Sequence, residues 1–580
     1  MAPEHLLDEF PPVSTADWEA AIARDLKGAD YQKRLIWRAE EGLRVKPYYR
    51  AGDLKNLAAV NSAPGQFSFR RGARTKGGWT IREEIDAVDA EEANHAACEA
   101  IVAGAEGIAF TPLFVKDGAD LEMALGHLDN IPVHFRRADE ALIRLLIERL
   151  KSRPHGAELS TGFDALANAE FAAEIVRAVP EGLVPFSIDA AAFEEAGATT
   201  IEEIGFALAA GIDFLSALAE RGAEVNRAAG AIVFNFTIGD NYFFQIAKLR
   251  AIRMLWARAA QCLGVSPEHS RARIAARTSR WNKTVYDPHS NILRATTEAM
   301  AAVLGGADSI SVAPYDECFA EPGAPSRRLA RNTQLLLKHE ASLEQVADPG
   351  GGAYYLEALT DDLAREGWRE MREIEAQGGY REAHALIAQA LERSLAAREI
   401  AVEKRRRVFV GTNQQANPAE HALDRVDLNR MNRIRRGSRA YEELRLRTEW
   451  FTAETGKTPR VLLAEIGDAR MRALRSNFAL NFFACAGFPI ATKRFKNAAA
   501  IAAAEADLIV LCSSDGEYAR IAAKLMAKLK ALGRSTPVIV AGNPEDAEEL
   551  QAVGIADFVH VRSNPVEVLK KWQERLGIKD

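Results

Sequence analysis

Few side chains in this sequence stand in patterns that do chemistry. It holds eleven histidines and five cysteines, with no Cys-x-x-Cys pair and no His-x-Glu-x-x-His run. Cys98, Cys262, Cys318, Cys485 and Cys512 are far apart and odd in number. That pattern argues against a disulfide framework and against a structural zinc site. His289, in Asp287-Pro-His-Ser, reads as a loop residue, and His560 lies in a strand pattern and reads as a sheet-face residue. Asp348-Pro-Gly-Gly-Gly lacks the Gly-x-Gly-x-x-Gly spacing and is followed by no Walker lysine, so it reads as a tight turn. The basic run Arg405–Arg407 and Arg433, Arg435 and Arg436 have no aromatic platform beside them. They read as a solvated linker clamped on acidic surface, not as a nucleic-acid site. Asp468 precedes a helical pattern, as an N-cap does. Ser513, Ser514 and Gly542 follow strand patterns, where turn residues are common.

The elements that position these residues follow from length and periodicity. At 580 residues, 48% hydrophobic and 27% charged, the chain is a soluble globular protein of several domains. A net charge of −7 argues against a dedicated nucleic-acid binder. The first ten residues are acidic and lack a signal peptide's layout, and a cytoplasmic location is expected. The apolar stretch Ser476 to Thr492 is broken by Asn, Gly and Pro, which predicts a buried helix and a turn, not a membrane span. Residues 1–75 read as an arm with one short helix around Trp18, Ala21, Ile22 and Leu26, long enough to hint at a partner that buries it. Over 76–358, strands at Gly107–Phe114, Val184–Asp189, Ile232–Ile238, Arg273–Thr278 and Ser309–Val312 alternate with helices. This predicts an α/β fold with a closed (βα)8 barrel of the TIM type. Residues 359–458 read as a helical, Arg-rich linker. In 459–580, strands at Val461–Ile466, Ile490–Phe495, Leu508–Ser513, Val538–Ala541 and Phe558–Val561 predict a doubly wound, flavodoxin-like domain.

A set of motifs then stands out by order and spacing: Trp79-Thr-Ile-Arg82, Ile246 to Trp256, Arg277-Thr-Ser-Arg-Trp281, Asp287, Asn291, Arg294, Glu298-Ala-Met-Ala301, Arg328 to Gln334 and Asp348 to Tyr355. Together they resemble the methylmalonyl-CoA mutase family. The resemblance implies an acyl-CoA-binding barrel, a helical linker and a C-terminal cobalamin-type domain. It also implies a radical rearrangement whose hard step belongs to adenosylcobalamin, while the protein positions the reactants and excludes water. Three protein groups serve that chemistry in the family: a histidine on the thioester carbonyl, a tyrosine wedged at the cofactor, and a cobalt-ligating histidine in an Asp-x-His-x-x-Gly turn.

The chain departs from the family at each of these places. The Tyr-His pair that precedes Glu-Ala-Gly-Ala falls on Ala191 and Ala192, and losing an oxyanion donor costs about 10²–10³ in rate. The wedge tyrosine falls on Glu84, whose carboxylate is expected to repel an acidic substrate. Gly77 replaces an arginine that would meet the CoA tail, while Arg82 is kept. The cobalt-ligand position is Arg470, in Asp468-Ala-Arg470-Met-Arg-Ala473. A guanidinium stays protonated and has no lone pair to give a metal. Ala464 stands where a lysine is expected. Ser514 and Gly542 match the loops around the cofactor's nucleotide tail. The resemblance therefore implies a non-catalytic small (β) subunit of a heterodimeric mutase. Glu84, Ala191 and Ala192 would be vestigial catalytic positions, and Asp468, Arg470, Ser514 and Gly542 vestigial cofactor positions. The chain would hold no metal or cofactor of its own. Adenosylcobalamin would sit on a catalytic large subunit, and no nucleic acid or membrane would be a partner. Two other readings stay open: an active acyl-CoA mutase of altered substrate using Glu84 or another acid, and a binding or sensor protein that holds a CoA ester or nucleotide in the barrel. A barrel interior filled by Phe193 and its neighbours would fit an inert chain.

Overall fold

The structure, a computed structural model, describes residues 10, 13–57, 60–164 and 166–579. Residues 1–9, on which the reading of the acidic start rests, lie outside the described residues. Eight parallel strands close into a barrel. They are β1 Thr80–Ile85, β2 Gly107–Phe110, β3 Val133–Phe135, β4 Leu159–Asp164, β5 Leu183–Asp189, β6 Ile232–Ile238, β7 Arg273–Thr278 and β8 Ser309–Ser311. β8 pairs with β1 to complete the circle.

Alternation along each strand sorts the residues onto two faces. Ile81, Ile108, Phe110, Val133, Phe135, Phe234 and Ile310 face the surrounding helices in one large core. The register joins Glu84 to Ala109, Ala109 to His134, and His134 to Ser160, which puts these four on the inner face. Val184, Val233 and Ala275 form a separate small cluster. Barrel interiors are ordinarily filled by bulky branched side chains. This one is lined by small and polar residues around His134, Arg82 and Arg277.

The outer helices approach closely. Thr200–Glu220 begins with a capping box, Thr199 with Glu202, and is buried along most of its length. It packs on Tyr354–Glu375, where a Cβ at Gly367 would come within 2.5 Å of Ile204. Two buried ion pairs brace this layer, Lys248 to Glu203 at 2.6 Å and Lys283 to Glu298 at 2.7 Å. Burial, acting against each lysine, raises both carboxyls from 4.5 to about 7. Between these values the folded chain binds more protons than the unfolded one, so stability falls as pH rises through that window. The slope is on the order of 1 kcal/mol per pH unit for each group. Calorimetry between pH 5 and 7 should show this decline, and Glu203→Gln or Glu298→Gln should flatten it. Equal slopes for the wild type and both variants would refute the assignment.

The arm begins with a helix, Thr15–Asp25, capped by Ser14, in which no residue is buried. Trp18 stacks on Tyr48 at 4.8 Å. The rest of the arm is anchored on the chain's own barrel. Arg70 and Arg71 pair with Glu357 at 2.8 and 2.7 Å. Arg71 and Arg250 both pair with Asp348. The Asp348-Pro-Gly-Gly-Gly turn is thus a charged knot as well as a turn. The partner anticipated for the arm is unnecessary over this part, because burial there is intramolecular.

The Arg-rich segment differs from the solvated linker expected of it. Arg436 and Arg445 are fully buried. Arg436 pairs with Glu442 at 2.8 Å, and Arg445 lies 3.7 Å from the Tyr286 ring centre. Arg407 joins Glu40 and Asp240. Acidic partners are present, as expected, for Arg407 and Arg436, while Arg445 is held by backbone carbonyls and Arg406, Arg433 and Arg435 are exposed, as a solvated segment requires. A planar guanidinium supplies several donors to backbone and carboxylate together.

The C-terminal sheet has five parallel strands: β9 Val461–Glu465, β10 Ile490–Arg494, β11 Leu508–Cys512, β12 Val538–Ala541 and β13 Asp557–Val559. Their order is β10-β9-β11-β12-β13, the flavodoxin-like arrangement. β10 forms one edge, and every residue in it except Ile490 is exposed. His560 falls in the turn after β13, where its Nδ1 accepts from the Arg562 amide at 3.1 Å. It is therefore not a sheet-face residue, because β13 ends one residue earlier.

Candidate functional site

The carboxyl ends of barrel strands are where (βα)8 proteins place their chemistry. Here that face carries a chain of ion pairs. Arg136, just after β3, donates to Glu84 on β1 at 2.6 Å. Glu84 also accepts from Arg277 on β7 at 2.9 Å. Arg277 reaches on to Glu317 at 2.6 Å, and Glu317 accepts from Arg280 at 2.6 Å. Arg430 closes the line by donating to the Glu317 carbonyl at 2.6 Å. The network therefore joins β1, β3, β7 and the loop after β8 across the mouth.

Its charges are paired with one another, and of the Glu84 and Glu317 oxygens only Glu317 Oε2 is buried without a hydrogen bond. Burial alone would raise the Glu84 carboxyl, but Arg277 and Arg136 outweigh it and hold it below the usual range. Glu317 is likewise pulled down by Arg277 and Arg280 against its burial. The repulsion expected from Glu84 is thus cancelled by two guanidinium groups. The cavity beside this network, lined by Arg82, Glu84, Arg277 and Glu317, has only about 60 Å³. Deeper in, burial lowers Arg82 to about 10, with Glu158 and Glu84 opposing. His134 is held well below its ordinary value by burial and by Arg82 and Arg136, and it bonds Ser160 Oγ at 3.0 Å.

Ala191 and Ala192 lie in the short helix Ala190–Glu195 that follows β5. Their methyl groups bring no donor or acceptor to the mouth. Phe193 does not fill the barrel. It packs outward on Phe206 at 5.5 Å and on Tyr380 at 6.0 Å, because a helix directly after the strand turns it to the outer layer. Arginines and glutamates occupy the mouth instead.

In the C-terminal domain the corresponding crevice lies at the carboxyl ends of β9, β11 and β12. Asp468 caps the helix Ala469–Phe483, accepting from the Met471 amide at 2.8 Å. Arg470 is exposed on the first turn of that helix. Glu517 occupies the space between the strand ends. Its Oε2 accepts from Ser514 Oγ at 2.6 Å, from Ser513 Oγ at 2.9 Å and from the Asp468 amide at 3.0 Å. These bonds, Ser514's foremost, lower its carboxyl to about 2. Beside Gly542, Arg475 pairs with Asp515 at 3.0 Å. Asp468, Ser514 and Gly542 are thus brought together, with Glu517 and the Arg475–Asp515 pair among them. Among the described residues no group of three or more His, Cys, Asp or Glu is arranged to hold a metal ion.

Sequence reasoning missed the residues that close both sites. Arg136 follows a three-residue strand that gave no periodic signal. Glu317 sits in a loop. Glu517 did leave a signal, since Ser514-Asp-Gly-Glu517 has the Ser-x-x-Glu spacing of a capping box.

The methylmalonyl-CoA mutase family model matches residues 38–124 and 169–451. The chain belongs to the methylmalonyl-CoA mutase family. It is similar to the methylmalonyl-CoA mutase small subunit of Porphyromonas gingivalis, 36% identical over 99% of both chains. It is 33% identical to the small subunit of Streptomyces virginiae over 99% of this chain and 98% of that one. A probable small subunit of Mycobacterium bovis is 32% identical over 94% of each. The methylmalonyl-CoA mutase family model leaves out the stretch from 125 to 168, which contains β3, β4 and Arg136, and everything after 451. No helix among the described residues is long and apolar enough to cross a membrane.

Proposed function

We propose that this chain is the non-catalytic small subunit of a heterodimeric methylmalonyl-CoA mutase. Its partner is a catalytic large subunit that carries adenosylcobalamin and interconverts methylmalonyl-CoA and succinyl-CoA. The observation that carries this reading is the barrel mouth. Where a reacting thioester needs room and an oriented donor, the chain has Ala191, Ala192 and an internally paired lattice of Glu84, Arg136, Arg277 and Glu317. A small substrate would have to break several partly buried ion pairs to enter.

The C-terminal residues do not fit a corrinoid. Arg470 has no lone pair for cobalt, and Glu517 with its two serines takes up the crevice where a nucleotide tail would lie. The role left to the chain is structural. The first helix of the arm buries none of its residues, and Trp18 is 42% exposed. That helix is a surface suited to a partner subunit. The relatives' shared name, small subunit, supports the same reading.

The test is to purify the chain alone and with a large subunit. Alone, after incubation with adenosylcobalamin and desalting, it should show no corrinoid absorbance and no isomerisation of methylmalonyl-CoA. Co-expressed, the two chains should elute as one active 1:1 complex. Stoichiometric corrinoid on the isolated chain, or two separate peaks on the column, would defeat the proposal.

A further inference from the structure

A cavity of about 940 Å³ lies between the barrel mouth, the antiparallel strand pair Trp37–Arg38 and Arg44–Val45 of the arm, and the helix His384–Glu403. Glu84, Ala191 and Ala192 are absent from its lining, so it is separate from the closed site above. Its size falls within the range of about 300–1,000 Å³ found for small-molecule pockets.

Among the buried lining groups left without a partner, acceptors outnumber donors, with Trp281 Nε1 the one donor among the described residues. Three glutamates each commit one carboxylate oxygen to the protein. Glu41 Oε1 accepts from Thr200 Oγ1 at 2.9 Å, Glu194 Oε1 from Arg398 at 3.2 Å, and Glu203 Oε2 from Lys248 at 2.6 Å. The second oxygen of each, together with Oε1 of Gln245, is buried without a partner. Every such orphan costs about 1–3 kcal/mol. All four of these residues line the cavity. The positive charge these carboxylates take is already supplied by Lys248, Arg398 and Arg407, so a further cation gains little. Neutral donors such as hydroxyls would satisfy them.

The rim has the opposite character. Arg38, Arg393 and Arg406 are exposed there. Among the described residues the Arg38 and Arg406 side chains make no hydrogen bond or ion pair, and Arg393 reaches only Glu202 at 3.8 Å. Guanidinium forks match phosphate oxygens in geometry and charge.

We propose that this cavity binds a phosphorylated, hydroxyl-rich small molecule, a nucleotide or a sugar phosphate. Its hydroxyls lie on the glutamate and glutamine oxygens, and its phosphate lies on the rim arginines. Carboxylate recognition of ribose hydroxyls is an established device of nucleotide sites.

The experiment is isothermal titration of the full chain with AMP, ribose 5-phosphate, adenosine and inorganic phosphate. At least one of the first two should bind at one site per chain, and adenosine and phosphate alone at least tenfold more weakly. The double variant Arg38→Ala with Arg406→Ala should lose tenfold or more, and Glu41→Gln should weaken binding as well. Lys524→Ala, exposed on the far domain, should change nothing. Binding of AMP alone assigns a nucleotide, and binding of both assigns the sugar phosphate moiety. No binding of either tighter than about 1 mM, or binding unmoved by the arginine pair, overturns the proposal.

Discussion

Replacing Glu357 with alanine is expected to cost about 3–5 kcal/mol of stability and to free the arm from the barrel. Glu357 is fully buried and takes Arg70 at 2.8 Å, Arg71 at 2.7 Å and Arg250 at 2.8 Å, as well as the Gly352 amide at 2.9 Å. Burial by itself raises its carboxyl, yet Arg250, the Gly352 amide and Arg70 bring it below the usual value. Alanine leaves Arg71 and Arg250 sharing Asp348 and removes the carboxylate that Arg70 meets. The urea midpoint should drop sharply, and limited proteolysis should open the chain between residues 50 and 75. Glu357→Gln keeps the shape and part of the hydrogen bonding, so it should lose less. A loss below about 1 kcal/mol for the alanine variant would show that the knot is not what ties the arm down.

The second large effect is expected at the barrel mouth. Arg277→Ala removes the guanidinium shared by Glu84 and Glu317. Each carboxylate keeps one arginine, Arg136 or Arg280, but two acids then face each other across the gap. A loss of about 1–3 kcal/mol at pH 7 is expected for these partly buried pairs, between the values for exposed and fully buried ones. Its pH dependence carries the sign that identifies it. In the native chain both carboxyls sit below their unfolded value of 4.5, so their contribution is present above that value and is lost as pH falls. The variant has already given up much of that contribution. The gap between the two proteins should therefore narrow below about pH 4. A gap that stays constant from pH 7 to pH 3 would point to lost packing, not lost charge pairing.

Strands with continuous apolar character were legible in the sequence. Ile232–Ile238 and Arg273–Thr278 were read to the residue, and all five C-terminal strands were found within one or two residues of their ends. Three barrel strands were not marked. Thr80–Ile85 carries Arg82, Glu83 and Glu84 in a row, because its inner face holds charges and Glu83 pairs outward with Arg331. Val133–Phe135 is too short for any periodicity. Leu159–Asp164 holds Ser160, Thr161 and Gly162 and breaks register between Ser160 and Phe163. The emptied positions at Ala191, Ala192 and Arg470 could be named from motif spacing. What fills the space could not, because Arg136, Glu317 and Glu517 reach their partners through tertiary structure or a turn. A family resemblance marks positions along the sequence, whereas which side chains meet there depends on tertiary packing and charge balance that spacing does not show.

One consequence concerns the exposed border of the C-terminal sheet. A border strand offers unpaired backbone groups to any passing chain, which makes it a template for aggregation. β10 is such a strand, and it ends in Lys493-Arg494. Two copies pairing side by side in parallel would stack these cations on themselves, and like charges directly opposite disfavour the match. In that register the two cations work against edge-to-edge pairing of one copy of the chain with another.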